Sequence, residues 1–349
     1  MKKWIALLLC VLSLSFLIGC AAEHETDGGE KSSAEEGIRI GMSFDSFVIE
    51  RWQKDRDVFV AEAKARGAEV NVQNANGNLE EQISQIQYLI EKKVDVIVIV
   101  AGDCNGLSEV VTQAKDAGIK VIAYDRLINN ADVDLYISFD NERVGTLMGE
   151  ALAGCYLPHK KVLMLTGPLE DNNVVMIEDG FRGVMQKNGI DIVDIMYADG
   201  WKAELASDYI DQHIESLEDV DAIMCGNDLI ATSVIRTLAE NRLAGKIKIV
   251  GQDADLEACQ RIVEGTQVMT VYKPVEKLAR NAARYACLMA EGKPFLTEAE
   301  QEECLEISDG SNHVPYVVLE PVPVDADNMK EVIINSGFHF EEEVYLNVR

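Results

Sequence analysis

Residues 94–100 read VDVIVIV, a run of β-branched apolar side chains interrupted only by Asp95. A strand with one wet face alternates apolar and polar residues. This one does not, so both of its faces must be covered. Strands of that kind belong to parallel sheets, where crossover helices lie on either side.

The rest of the chain keeps the same rhythm. IRIGMSF (38–44), AEVNVQNA (68–75), KVIAYD (120–125) and LYISFD (135–140) are strand-like, and helical patterns fall at 47–66, 78–92, 106–117 and 141–155. The succession then restarts with KVLMLTG (161–167), DIVDIMYA (191–198), VDAIMCGND (220–228), KIKIVGQD (246–253) and VMTVYK (268–273). Helical patterns at 173–188, 203–217, 229–241, 254–264 and 275–291 alternate with these. Strands alternating with helices predict parallel βαβ units. Two similar successions within 349 residues predict an α/β chain of two doubly wound parallel-sheet lobes.

Ligands of such sheets bind beyond the carboxyl ends of the strands. Those ends are Asp125-Arg126, Asp140-Asn141, Gly167-Pro168, Asp199-Gly200-Trp201, Asn227-Asp228, Gln252-Asp253 and Lys273. Asp125, in the first succession, has a counterpart in Asp253, after the fourth strand of the second. Carboxylates that accept, amides and an arginine that donate, and a planar indole suit a polyol, whose hydroxyls do both and whose ring carries C–H faces. Each residue has a plainer reading. Asp125 and Arg126 could be an ion pair, and Asn173 and Asp228 could cap helices. Trp52 could face the core with Phe59, and Arg51 and Lys54 could share a solvated helix face. Trp201, in a loop behind Asp199-Gly200, has least reason to be packing alone.

The formal net charge of −28 disfavours phosphate backbones and so nucleic acid. No GxGxxG or GxxxxGK[ST] opens a helix, and the five histidines lack metal-site spacing, so no cofactor, metal or enzymatic role is expected. Lys2 and Lys3 precede an apolar run, Trp4 to Ile18, that reads as a signal peptide. It ends in Leu17-Ile18-Gly19-Cys20, like a bacterial lipobox with Cys20 as the lipidated residue. Residues 21–36 read as a flexible tether. The six cysteines beyond Cys20 form no close CxxC pair and read as small buried apolar residues.

Taken together, ERWQKDRD (50–57), NANGN (74–78), YDRLINNADVDLYISFDNERVG (124–145), DGW (199–201), GND (226–228), GQDADL (251–256) and GTQVMTVYKP (265–274) are specific. They resemble the periplasmic sugar-binding proteins of the ribose/galactose type, with the xylose-binding branch nearest, from about Ile38 to Phe340. The resemblance implies a type I periplasmic-binding-protein fold with a three-strand hinge. Its lobes would be residues 37–142 plus 275–312 and residues 143–274 plus 313–349. It implies a monosaccharide, D-xylose first, held by Arg51, Trp52, Lys54, Asp125 and Arg126 from one lobe. Asn173, Trp201, Asn227 and Asp253 would come from the other, with Lys273 at the hinge. Asn172 is set aside, since the second Asn of the pair matches the ligand position. The implied protein is a monomeric, lipid-anchored receptor that serves an ABC permease. Presentation of the sugar to a membrane histidine kinase or chemoreceptor is the alternative. A transcription regulator with the same core would need a helix-turn-helix where the signal stands.

Overall fold

The computed structural model describes residues 37–348. The expected signal peptide (1–20), the expected lipidation point Cys20 and the expected tether (21–36) lie outside the described residues.

The first succession is β1 (Arg39–Phe44), α1 (Arg51–Ala65), β2 (Glu69–Asn74), α2 (Leu79–Glu91), β3 (Val96–Val100), α3 (Ser108–Asp116), β4 (Lys120–Tyr124) and β5 (Leu135–Phe139). The second is α4 (Asn141–Ala153), β6 (Lys161–Thr166), α5 (Asn172–Asn188), β7 (Asp191–Tyr197), α6 (Ala203–Gln212), β8 (Ala222–Cys225), α7 (Asp228–Glu240), β9 (Lys248–Gln252), α8 (Leu256–Glu264) and β10 (Met269–Tyr272). Then come α9 (Val275–Ala290), α10 (Glu298–Glu303), β11 (Leu305–Ser308), β12 (His313–Leu319), β13 (Val322–Val324) and α11 (Glu341–Val344).

One sheet runs β11-β12-β5-β4-β3-β1-β2 and the other β13-β10-β9-β8-β6-β7. Apart from the C-terminal strands, both have the same parallel order, second-first-third-fourth-fifth in their own succession. That is a doubly wound sheet repeated, each with its switch point beside its first strand. The run that opened the sequence analysis behaves as its composition requires. Val96, Val98 and Val100 join a core with Phe59 and Leu278, while Ile97 and Ile99 join one with Ile86 and Val111 on the opposite face.

The chain passes between the sheets three times, after β5, after β10 and after β12. After β5, α4 packs on α5, β9 and β10 of the second lobe; after β10, α9 returns to α1 and the first sheet. The third crossing corrects the expected boundary after residue 312. His313–Leu319 is not part of the second lobe but pairs in parallel with β5 in the first sheet. The cause is the turn before it. Asp309 accepts from the backbone of Ser311 and Asn312 and also from Ala131 and Asp132, which turns the chain back beside β5. Tyr316 then stacks on Tyr136 at 4.6 Å. The chain leaves for the second lobe only beyond Leu319.

Helices α4 and α5 touch backbone to backbone. A Cβ on Gly145 would lie 1.9 Å from the carbonyl oxygen of Ile177, and one on Gly180 would lie 2.0 Å from that of Glu142. This fit sets the start of α5 against the start of α4, beside the first crossing.

Candidate functional site

Asp125 and Asp253 follow β4 and β9, the same position in the two lobes. Both adopt left-handed backbone, with φ of 66° and 95°. Each N–H bonds to the next strand, Asp125 to the Ile137 carbonyl and Asp253 to that of Val271, both at 2.8 Å. Such a conformation costs a non-glycine residue roughly 1–3 kcal/mol, so the surroundings must hold it. On the first lobe the hydroxyls of Ser138 and Tyr136 do so, donating to the Asp125 carbonyl at 2.6 and 3.1 Å.

Both carboxylates line one small cavity between the lobes. It also takes Ile49, Arg51, Trp52 and Arg126 from the first lobe, Asp171, Asn173, Trp201, Asn227 and Gln252 from the second, and Lys273 from the crossing after β10. Nine of the ten residues expected from the sequence therefore meet in one place. Lys54 does not. Its amine reaches outward to the Phe338 carbonyl at 3.4 Å and lies 3.9 Å from the Phe338 ring. The reason is local: Lys54 stands one turn along α1 from Arg51, and Glu276 lies 3.7 Å away on the outer side. Ile49 and Asp171 were not singled out from sequence, and Gln252 was named only as a strand end. Asp171 had a legible signal as the cap of α5, since its side chain accepts from the Asn173 N–H.

The charges arrange each other. Arg51 lies 3.1 Å from Asp55 and 2.9 Å from Asp125, with its guanidinium 4.3 Å from the Trp52 ring. Asp55 is also held by the Tyr124 hydroxyl. Arg126 pairs with Asp171 at 2.7 Å and Asp45 at 3.1 Å and donates to the Ala101 carbonyl at 2.9 Å. Burial pushes the Asp125 carboxyl up, but Arg51, Lys273 and Arg126 together hold it below the usual range. At Asp171 burial wins over Arg126, and its pKa is raised. Burial likewise lowers Lys273, which Asp253 at 3.9 Å only partly offsets.

The amides are placed as carefully. Asn141, at the start of α4, donates to Asn173 Oδ1 at 2.9 Å, which turns the Asn173 amide nitrogen onto Asp125 Oδ1, also at 2.9 Å. That contact crosses the lobes and rests on the glycine fit of α4 with α5. Asn227 caps α7 by accepting from the Ile230 N–H. Trp201 donates to Asp171 at 3.1 Å, and its ring lies so close to Gly167 that a Cβ there would sit 2.3 Å from it.

Apart from Asp125 Oδ2, which is ion-paired with Arg51 at 2.9 Å, four buried atoms on the lining residues have no hydrogen-bond partner among the described residues: Trp52 Nε1, Asn227 Nδ2, Gln252 Oε1 and Asp253 Oδ1. Two donate and two accept. Buried polar groups in folded proteins are nearly always paired, so this set matches a ligand that both donates and accepts. The site has no nucleophile–base pair and no group of carboxylates, histidines and cysteines gathered to hold a metal, among the described residues.

The family model for the periplasmic binding protein domain matches residues 40–294. The chain belongs to the periplasmic binding protein family. Like other periplasmic binding proteins, it has named relatives over almost its whole length. It is 41% identical over 319 residues to the D-xylose-binding periplasmic protein of Haemophilus influenzae, covering 90% of this chain and 94% of that one. It is 40% identical over 342 residues to the D-xylose-binding periplasmic protein of Escherichia coli K12, covering 97% and 98%. Among solved structures it is similar to an ABC transporter solute-binding protein from Clostridium phytofermentans with bound β-D-glucose. The TM-score is 0.78 and the identity 28%, over 88% of this chain and 99% of that one. The type I fold expected from the resemblance is therefore the fold found.

Proposed function

We propose that the protein is an extracytoplasmic receptor that captures D-xylose between its lobes and hands it to an ABC permease, with no chemistry of its own. The observation that carries this reading is the mixed set of unpartnered donors and acceptors in the cavity, contributed by both lobes. A pentose hydroxyl can donate to Asp253 and Gln252 and accept from Asn227 and Trp52. Asp125, Arg126 and Asn173 serve the hydroxyls nearer the first crossing, and Trp201 covers a ring face. The named D-xylose-binding relatives support xylose over another aldose.

Because the partners come from both lobes, sugar binds the closed arrangement better than an open one and shifts the population toward closure. The closed pair, as a monomer, is what a permease would recognise. The Leu17-Ile18-Gly19-Cys20 motif supports lipidation at Cys20 and attachment to the outer face of the cell membrane. Titrating protein lacking residues 1–20 by calorimetry against D-xylose, D-ribose, L-arabinose and D-glucose tests the reading. Xylose is expected to bind tightest, and no heat with any of the four would overturn it.

A further inference from the structure

Asp228 lies directly behind Asn227, yet it neither lines the cavity nor caps α7. Its side chain is wholly buried under the turn that carries Asp253. One oxygen accepts from the Thr270 hydroxyl at 2.6 Å and from the Asp255 N–H at 3.2 Å. The other accepts from Gln267 Nε2 at 2.8 Å. The Thr270 hydroxyl in turn accepts from the Ala254 N–H at 3.1 Å. The turn so held is unusual, because Asp253 and Ala254 both have left-handed backbone, φ 95° and 56°. Two consecutive non-glycine residues in that region do not persist without external support.

The sequence makes room for the support. A Cβ on Gly251 would lie 2.3 Å from Asp228 Oδ1, so the glycine of GQDAD admits the aspartate of GND. The first lobe supports the matching turn at Asp125 with neutral hydroxyls alone. The second uses a buried carboxylate.

We infer that Asp228, acting through Thr270, is a positioning group that fixes the Asp253–Ala254 turn and so sets the aim of the Asp253 carboxylate at the sugar. This rests on the proposed sugar site. Asp228 and Thr270 touch no ligand themselves. Their effect is on where Asp253 Oδ1 stands, and a small displacement of a pre-placed acceptor is enough to lose its bond.

Paired substitutions at Thr270 separate this role from packing. Thr270→Val keeps the shape and removes the hydroxyl, whereas Thr270→Ser keeps the hydroxyl and removes a methyl. In calorimetric titrations with D-xylose, Thr270→Val is expected to weaken binding by about tenfold or more and Thr270→Ser by less than about threefold. Asp228→Asn, whose amide nitrogen must face either the Gln267 amide nitrogen or the Asp255 N–H, is expected to follow the valine. Faster amide hydrogen exchange at Ala254 in the valine protein, with other second-lobe amides unchanged, is the accompanying spectroscopic signature. Valine protein that binds like wild type, or serine protein as weak as valine, overturns the inference. Wild-type protein that binds no sugar overturns the site reading itself, which is a different result.

Discussion

Arg126 Nε lies 2.7 Å from Asp171 Oδ2, and this ion pair joins the two lobes with both side chains almost wholly buried. The Trp201 indole donates to the same oxygen. Removing one partner strands the other charge in a dry site, which costs far more than the pair contributes. Arg126→Ala is therefore expected to weaken sugar binding by about 3 kcal/mol, more than a hundredfold in Kd by calorimetry. Asp171→Asn keeps the shape and leaves Arg126 its contact with Asp45, so its loss is expected to be smaller. Equal affinities in wild type and Arg126→Ala would return the pair to a structural role.

Gly167 tests the indole without touching it. The Cβ of Gly167→Ala would overlap the Trp201 ring, which must move off the end of β6. The expected result is a loss of sugar affinity matching that of Trp201→Ala, together with a change in tryptophan fluorescence in the free protein. Unaltered affinity in Gly167→Ala would mean the ring is not a sugar platform.

The two lysines should behave differently. Lys273 is buried among Asp253, Asp125 and the Phe139 ring, whereas Lys54 is a partly exposed bridge to Phe338. Lys273→Met should reduce affinity by at least about tenfold, because it leaves the facing carboxylates without their counter-charge. Lys54→Met should change it by less than about threefold, as partly exposed polar contacts do. A loss at Lys54 as large as that at Lys273 would show that the amine turns inward onto the sugar.

Cysteine labelling reads the seam between the lobes. The Cys104 N–H donates to the Glu170 carbonyl across the lobes at 2.9 Å. Burial, with help from Asp103 and Asp171, pushes its thiol up to about 11. Cys155 and Cys304 are free and only half buried. A thiolate-selective reagent should modify Cys155 and Cys304 first and Cys104 only as the lobes part. Saturating D-xylose should slow Cys104 and leave the other two unaffected. If sugar leaves the Cys104 rate unchanged, capture does not close this seam.

Much of this was legible because parallel sheets put strand ends where ligands bind. Asp125, Asn227, Asp253 and Lys273 could be picked from the polar residues that end apolar runs, and the resemblance supplied Arg51, Trp52 and Asn173. What sequence could not give was set by contacts distant along the chain. Asp171 counts only because Arg126, in the other lobe, faces it. The side of α1 on which the Lys54 amine ends depends on Phe338, far along the chain. The left-handed backbone of Asp125 and Asp253 carries no glycine to announce it. Strand β12 reads as a strand in composition, but its partner β5 lies far upstream, with Tyr316 opposite Tyr136, so its lobe follows from the Asp309 turn and not from local pattern.

A crystal structure of the protein grown with D-xylose tests capture of the sugar between the lobes most directly. The expected result is a single pentose ring in the inter-lobe cavity. Asp125 and Arg126 on one side, and Asn227 and Asp253 on the other, should each lie within about 3.2 Å of a ring oxygen or hydroxyl. A sugar held by one lobe alone, or seated outside this cavity, would contradict the account.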